Sequence, residues 1–89
     1  MNIAEFQEQL RGEGYQEIME RDLDPRPANG DHGHEFSVRG LVVAGEFIIT
    51  RDGAARSYRA GDIFEVAADT LHNEAVGPEG ARILTGRKY

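Results

Sequence analysis

The chain contains no cysteine, which excludes a disulfide framework and any zinc site held by thiolates. It also has no stretch approaching the roughly 18 consecutive apolar residues of a membrane span, so membranes are expected in neither the fold nor the function. Its opening residues, Met1-Asn2-Ile3-Ala4-Glu5-Phe6, lack both the basic start and the apolar run of a secretion signal, and the expectation is a soluble cytoplasmic protein. Positive charge is in deficit. Ten Lys plus Arg stand against 16 Asp plus Glu, a formal net charge of -6, so a nucleic-acid backbone would have to be held against the overall field. No nucleic-acid partner is expected. The 89 residues suffice for one domain, 1–89, whose single core buries somewhat over ~60% of the unfolded surface.

What is present begins with a helix signal. Ile3, Phe6 and Leu10 recur at spacings of three and four, the stripe of an amphipathic helix over 2–11, with Asn2 as its N-cap and Gly12 and Gly14 as its stop. The stretch from Tyr15 to Leu23 is assigned as a strand although Glu17, Met19 and Arg21 give no clean alternation. Asp24 to Asp31 is a loop by its Pro, Asn and Gly content. Beyond it the pattern is of short strands: Phe36 to Ala44, Phe47 to Thr50, Ser57 to Ala60, Ile63 to Val66, His72 to Val76 and Arg82 to Thr85. Gly45-Glu46 is expected to break the first two, Asp52-Gly53 to make a tight hairpin, and Gly77-Pro78-Glu79-Gly80 to turn the chain between the last two. These elements predict a small all-β sandwich or barrel spanning about 15–87 behind a short N-terminal α-helix.

Only three histidines occur, and each stands where a strand pattern meets a loop. His32 and His34 form a His-x-His pair. Alternation along an extended strand points both side chains the same way, so they can grip one ion. His72, arriving from a distant strand, completes a facial set that keeps open positions for water or substrate. The same parity turns Phe36, Val38, Gly40, Val42 and Ala44 inward and Glu35, Ser37, Arg39, Leu41 and Val43 outward. It also gives Glu74 the face of His72, about 6.5–7 Å along the strand, a distance suited to a proton-handling residue beside the ligands. Tyr58, Phe36, Phe47 and Phe64 are expected as core aromatics and Tyr15 at the barrel mouth. Arg39, Arg51 and Arg82 would bind a carboxylate if they pointed inward.

The segment from Gly30 to Val76 resembles a cupin. Gly30-Asp31-His32-Gly33-His34 through Gly45-Glu46 is similar to the first cupin motif, and Gly61-Asp62 through Ala67-Ala68-Asp69-Thr70-Leu71-His72-Asn73 to the second. The resemblance implies a jelly-roll barrel with Greek-key connections. It departs from the family pattern in two places. Val38 stands where the family keeps a glutamate, so the implied ligand set is His32, His34 and His72 without a carboxylate. Ala67-Ala68-Asp69 replaces the usual Pro-x-Gly, and Asp69 still allows a turn because Asp tolerates left-handed backbone geometry.

The resemblance implies one divalent transition metal, Fe, Zn, Ni or Cu, in a cavity lined by Phe36, Val38, Val42 and Phe64. The expected function is that of a metal-dependent enzyme acting on a small organic molecule. With iron it would be an oxidoreductase, a dioxygenase; with zinc or nickel, a Lewis-acid isomerase. A non-catalytic module that binds a small ligand, and a structural barrel without metal, are the alternatives. A homodimer is expected, with the Tyr15 to Leu23 segment adding to a partner's sheet edge.

Overall fold

In the computed structural model, which describes residues 1–89, the elements run α1 (Ile3–Gly12), β1 (Gln16–Leu23), β2 (Ser37–Arg51), β3 (Ala54–Arg59), β4 (Ile63–Val66) and β5 (Asn73–Lys88). The helix starts where its cap predicts. The Glu5 amide donates to the Asn2 side chain at 2.8 Å and the Asn2 amide donates to the Glu5 carboxylate at 3.2 Å, a reciprocal capping box that satisfies two otherwise orphaned donors. Phe6 and Leu10 are fully buried and clamp α1 onto Leu41, Leu84 and Tyr15. No helix is long and apolar enough to cross a membrane.

Two long strands carry the all-β barrel. The sheet order is β1-β5-β2-β3, with β4 also paired to β2. All pairings are antiparallel, and β5 runs beside β2 along nearly its whole length. β4 lies against the first half of β2 (Val38↔Val66 to Leu41↔Ile63) and β3 against the second half (Glu46↔Arg59 to Arg51↔Ala54). The inner faces enclose a core of Val42, Phe47, Ile49, Tyr58, Phe64, Val66, Val76, Ala81 and Ile83. Burial of this apolar surface is the main favourable contribution to folding.

The long strands correct the expected boundaries. Gly45-Glu46 does not end a strand: β2 continues through it, with register shifts between Val42 and Ala44 and between Gly45 and Phe47. A bulge inserts an unpaired residue and reverses which face later side chains take. Val38 and Val42 therefore face inward as expected, Ala44 is exposed rather than inward, and Phe47 and Ile49 face the core. Leu41 and Val43 do face outward, but there they meet α1 instead of solvent. Gly77 to Gly80 is likewise internal to β5. Pairing with β2 steps from Phe47↔Val76 to Gly45↔Ala81, so Pro78 falls where no ladder hydrogen bond is required. Asp52 and Gly53 have φ of 51° and 76° and close a two-residue hairpin, so β3 starts at Ala54 rather than Ser57.

Gly45 and Gly80 meet at the bulge. Their φ values are 78° and 77°, and a Cβ on Gly45 would lie 2.0 Å from the Gly80 carbonyl oxygen. Gly45→Ala should destabilise the chain by at least the ~1–2 kcal/mol of a left-handed L-residue, with the backbone clash adding to it. Urea denaturation checks this; a loss below that range would mean that the two strands can separate at this point without cost.

Candidate metal centre

The loop before His32 is tied to β5 along its length. The Arg26 and Val76 backbones pair, the Asn29 side chain accepts from the Glu74 amide at 3.0 Å, and the Asn73 side chain donates to Asp31 at 2.9 Å. The strapping ends in a two-way bridge: the His32 amide donates to the His72 carbonyl at 2.9 Å and the His72 amide to the His32 carbonyl at 3.0 Å. Residues that exchange both bonds sit directly opposite and share a face. The turn that returns the chain to His72 is fixed by Asp69, whose φ is 61° as its replacement of a glycine requires, and whose amide donates to the His34 carbonyl at 2.7 Å.

The three rings converge. Centroids are 4.5 Å apart for His32 and His72, 5.1 Å for His32 and His34 and 5.6 Å for His34 and His72. One ring nitrogen from each lies within 4.8 Å of the others. An ion bonded at ~2.1 Å spans donors up to about 4.2 Å apart, so small side-chain rotations complete the set. Glu35 is exposed, as alternation requires.

The hydrogen bonds of the rings show that they fit a metal. Nδ1 of His32 is 3.1 Å from the Gly30 carbonyl and Nδ1 of His72 is 2.9 Å from the Thr70 carbonyl. A carbonyl only accepts, so each Nδ1 carries the proton and each Nε2 keeps a lone pair for a ligand. Nε2 of His72, whose side chain is 1% exposed, faces Oε2 of Glu74 at 3.2 Å. A carboxylate oxygen facing this nitrogen is satisfied by a proton or a cation on Nε2. Glu74 is thus in direct side-chain contact with His72, closer than its two-residue spacing suggested, and its other oxygen accepts from Arg26 at 3.5 Å.

The histidines border a cavity of about 180 Å³ with apolar walls from Phe36, Val38, Phe47, Phe64, Val66 and Ile83. Val42 was expected in this lining and is not there. It is fully buried in the core, while the Phe64 ring, which fills the space left by the missing side chain of Gly40, lines the cavity. Tyr15 is not at the mouth either: it packs under α1, where its hydroxyl donates to Glu65 at 3.3 Å, and burial together with Glu65 raises its pKa.

None of the three arginines considered from the sequence reaches the cavity. Arg39 pairs with Glu13, Arg51 donates to the Glu65 carbonyl, and Arg82 grips Asp22 through two bonds of 2.8 and 3.2 Å. Arg21, Arg87 and Thr85 line it instead. Continuing the alternation of Ile83 past the expected strand end at Thr85 would have found two of them.

This geometry has close structural counterparts. An RmlC-like cupin from Shewanella frigidimarina superposes with a TM-score of 0.66 at 27% identity, covering 81% of this chain and 65% of its own. The chain has the cupin fold. KdgF from a Halomonas species matches this chain at 26% identity with a TM-score of 0.64, over 81% of this chain and 67% of that one. A Cupin 2 conserved barrel domain protein from Salinispora arenicola gives 0.69 at 20% identity, over 81% and 61%. The chain thus spans about two thirds or less of the length of these proteins. No protein-family model and no curated protein matches the sequence.

Burial, with the neighbouring His32 and His72 as a smaller cause, holds the pKa of His34 below the ordinary 6.5. The unfolded chain therefore takes up this proton first as pH falls. Metal-free protein should lose stability as pH drops below about 6.5, and the loss should be complete once pH is below the depressed folded value. Urea denaturation in chelator at pH 7.5 and 5.5 checks it: His34→Gln should show a smaller drop than wild type, and an equal drop would contradict the assignment.

Proposed function

We propose that this cupin holds one divalent transition metal on His32, His34 and His72 and is a metal-dependent enzyme acting on a small organic molecule, a dioxygenase where the ion is iron. The observation that supports this most is the convergence of one ring nitrogen from each of His32, His34 and His72 within 4.8 Å of one another, beside the Glu74 carboxylate. Such an ion, when bound, supplies Lewis acidity and, if redox-active, electron transfer.

The protein's own residues would do the rest. The Gly30 and Thr70 carbonyls fix the tautomers of His32 and His72, so their Nε2 atoms are presented without rearrangement. Phe36, Val38, Phe47 and Phe64 keep bulk water from the reacting atoms and limit substrate size. Glu74 is the group placed to accept a proton, at Oε2, while Arg26 and the Asn29 contact to its amide fix its position. The outer edge of β1, which is paired only to β5, supports the further proposal of a homodimer formed by strand addition.

Metal binding is tested by calorimetric titration of protein first stripped with chelator. Wild type should bind one Fe(II), Zn(II) or Ni(II) per chain, and His72→Ala should weaken that by ~100-fold or more, the upper end of what loss of even a supporting residue costs. No binding of any of these ions to wild type would sink the proposal. Glu74→Gln should keep the metal and, on any substrate turned over, lose ~10²–10⁴ in rate. Loss of the metal in that variant would make Glu74 a ligand instead of a proton acceptor.

A further inference from the structure

The cavity carries two cations that its metal chemistry does not use. β1 pairs with β5 so that Arg21 lies opposite Ile83 and Leu23 opposite Ala81. Cross-strand partners share a face. Ile83 and Ala81 belong to the interior core and Leu23 packs against it, so Arg21 is on the interior side of its strand and lines the cavity while its end reaches solvent. It makes no ion pair, in a chain where acidic residues outnumber basic ones 16 to 10. Arg87 lies two positions beyond Thr85 on the same face of β5. Its guanidinium rests 4.4 Å from the centre of the Phe36 ring and bonds Glu17 at 3.2 Å, which leaves other donors of the planar fork free. The one acidic residue in the lining, Glu74, is already engaged by His72 and Arg26.

An anion is therefore favoured at this end of the cavity, and the volume limits its size. About 180 Å³ is below the ~300 Å³ at which drug-sized sites begin. We propose that the cavity binds a small organic acid whose carboxylate is held by Arg21 and Arg87, with a second oxygen function directed to the histidine cluster. Arg21 supplies the charge-assisted hydrogen bonds that select a carboxylate over a neutral amide, and Arg87, anchored on Phe36, orients it. The role given to the second oxygen rests on the proposed metal function; the carboxylate site does not.

Succinate is a suitable probe, with succinamide as its neutral counterpart, each titrated into metal-depleted and zinc-loaded protein. In metal-depleted protein succinate should bind ~10-fold more tightly than succinamide, the scale of one hydrogen bond to a charged group. Arg21→Gln should abolish the preference, Arg87→Gln should reduce it, and Arg56→Gln, which lies outside the cavity, should leave it unchanged. Equal binding of succinate and succinamide by wild type, or an undiminished preference in folded Arg21→Gln protein, would overturn the proposal. Zinc should tighten succinate further. Absence of that increment alone, with the arginine-dependent preference intact, would count against the metal function and leave the carboxylate site standing.

Discussion

Two backbone hydrogen bonds, from the His32 amide to the His72 carbonyl and from the His72 amide to the His32 carbonyl, hold together segments 40 residues apart in sequence and make the cavity end of the barrel what it is. Without them the loop would still be strapped to β5 through Arg26, Asn29 and Asp31, but His32 would not be fixed opposite His72. With them, the side chains of an opposed pair share a face at close range, and His34, two residues on, follows by alternation. The strapping by Arg26, Asn29 and Asp31 and the left-handed turn at Asp69 act as supports for that bridge, closing the loop from one side and the β4–β5 connection from the other. A ligand site needs donors held before the ligand arrives, and here the backbone holds the histidines.

The cluster is also an electrostatic constraint. Three imidazoles converge, one of them almost fully buried and in contact with a carboxylate, with two Nδ1 positions facing carbonyls. Val38 occupies the position where the resembling family carries a carboxylate, and Glu74 brings one to the cluster from the opposite strand. Negative charge therefore stands beside the histidines on Glu74, in contact with His72 and bonded to Arg26. Arg21 and Arg87 line the same cavity, and their register on β1 and β5 follows from the pairing of those two strands.

Much of this is legible in the sequence. The α1 stripe of Ile3, Phe6 and Leu10, the His32-x-His34 spacing and the turn tolerance of Asp69 are local signals, and the motif resemblance added His72, 38 residues beyond His34. What sequence periodicity did not reveal was long-range. Gly45 and Gly80 read as strand breaks because glycine and proline punctuate chains, whereas here the glycines let two long strands cross a shared bulge. The expected break delayed the start of the last strand, its expected end at Thr85 left Arg87 outside it, and alternation along β2, which correctly turned Val42 inward, did not separate the core from the cavity. Arg21 was illegible for another reason: β1 shows no alternation of its own, and its inward face is defined only by its pairing with Ile83 and Ala81.

The central claim is that one ion is shared by side chains brought together by the His32–His72 bridge. Anomalous diffraction from crystals grown with zinc measures it directly. The account predicts a single strong peak ~2.0–2.1 Å from Nε2 of His32, from Nε2 of His72 and from a ring nitrogen of His34. A cluster with no peak, or zinc bound only elsewhere on the surface, would contradict it.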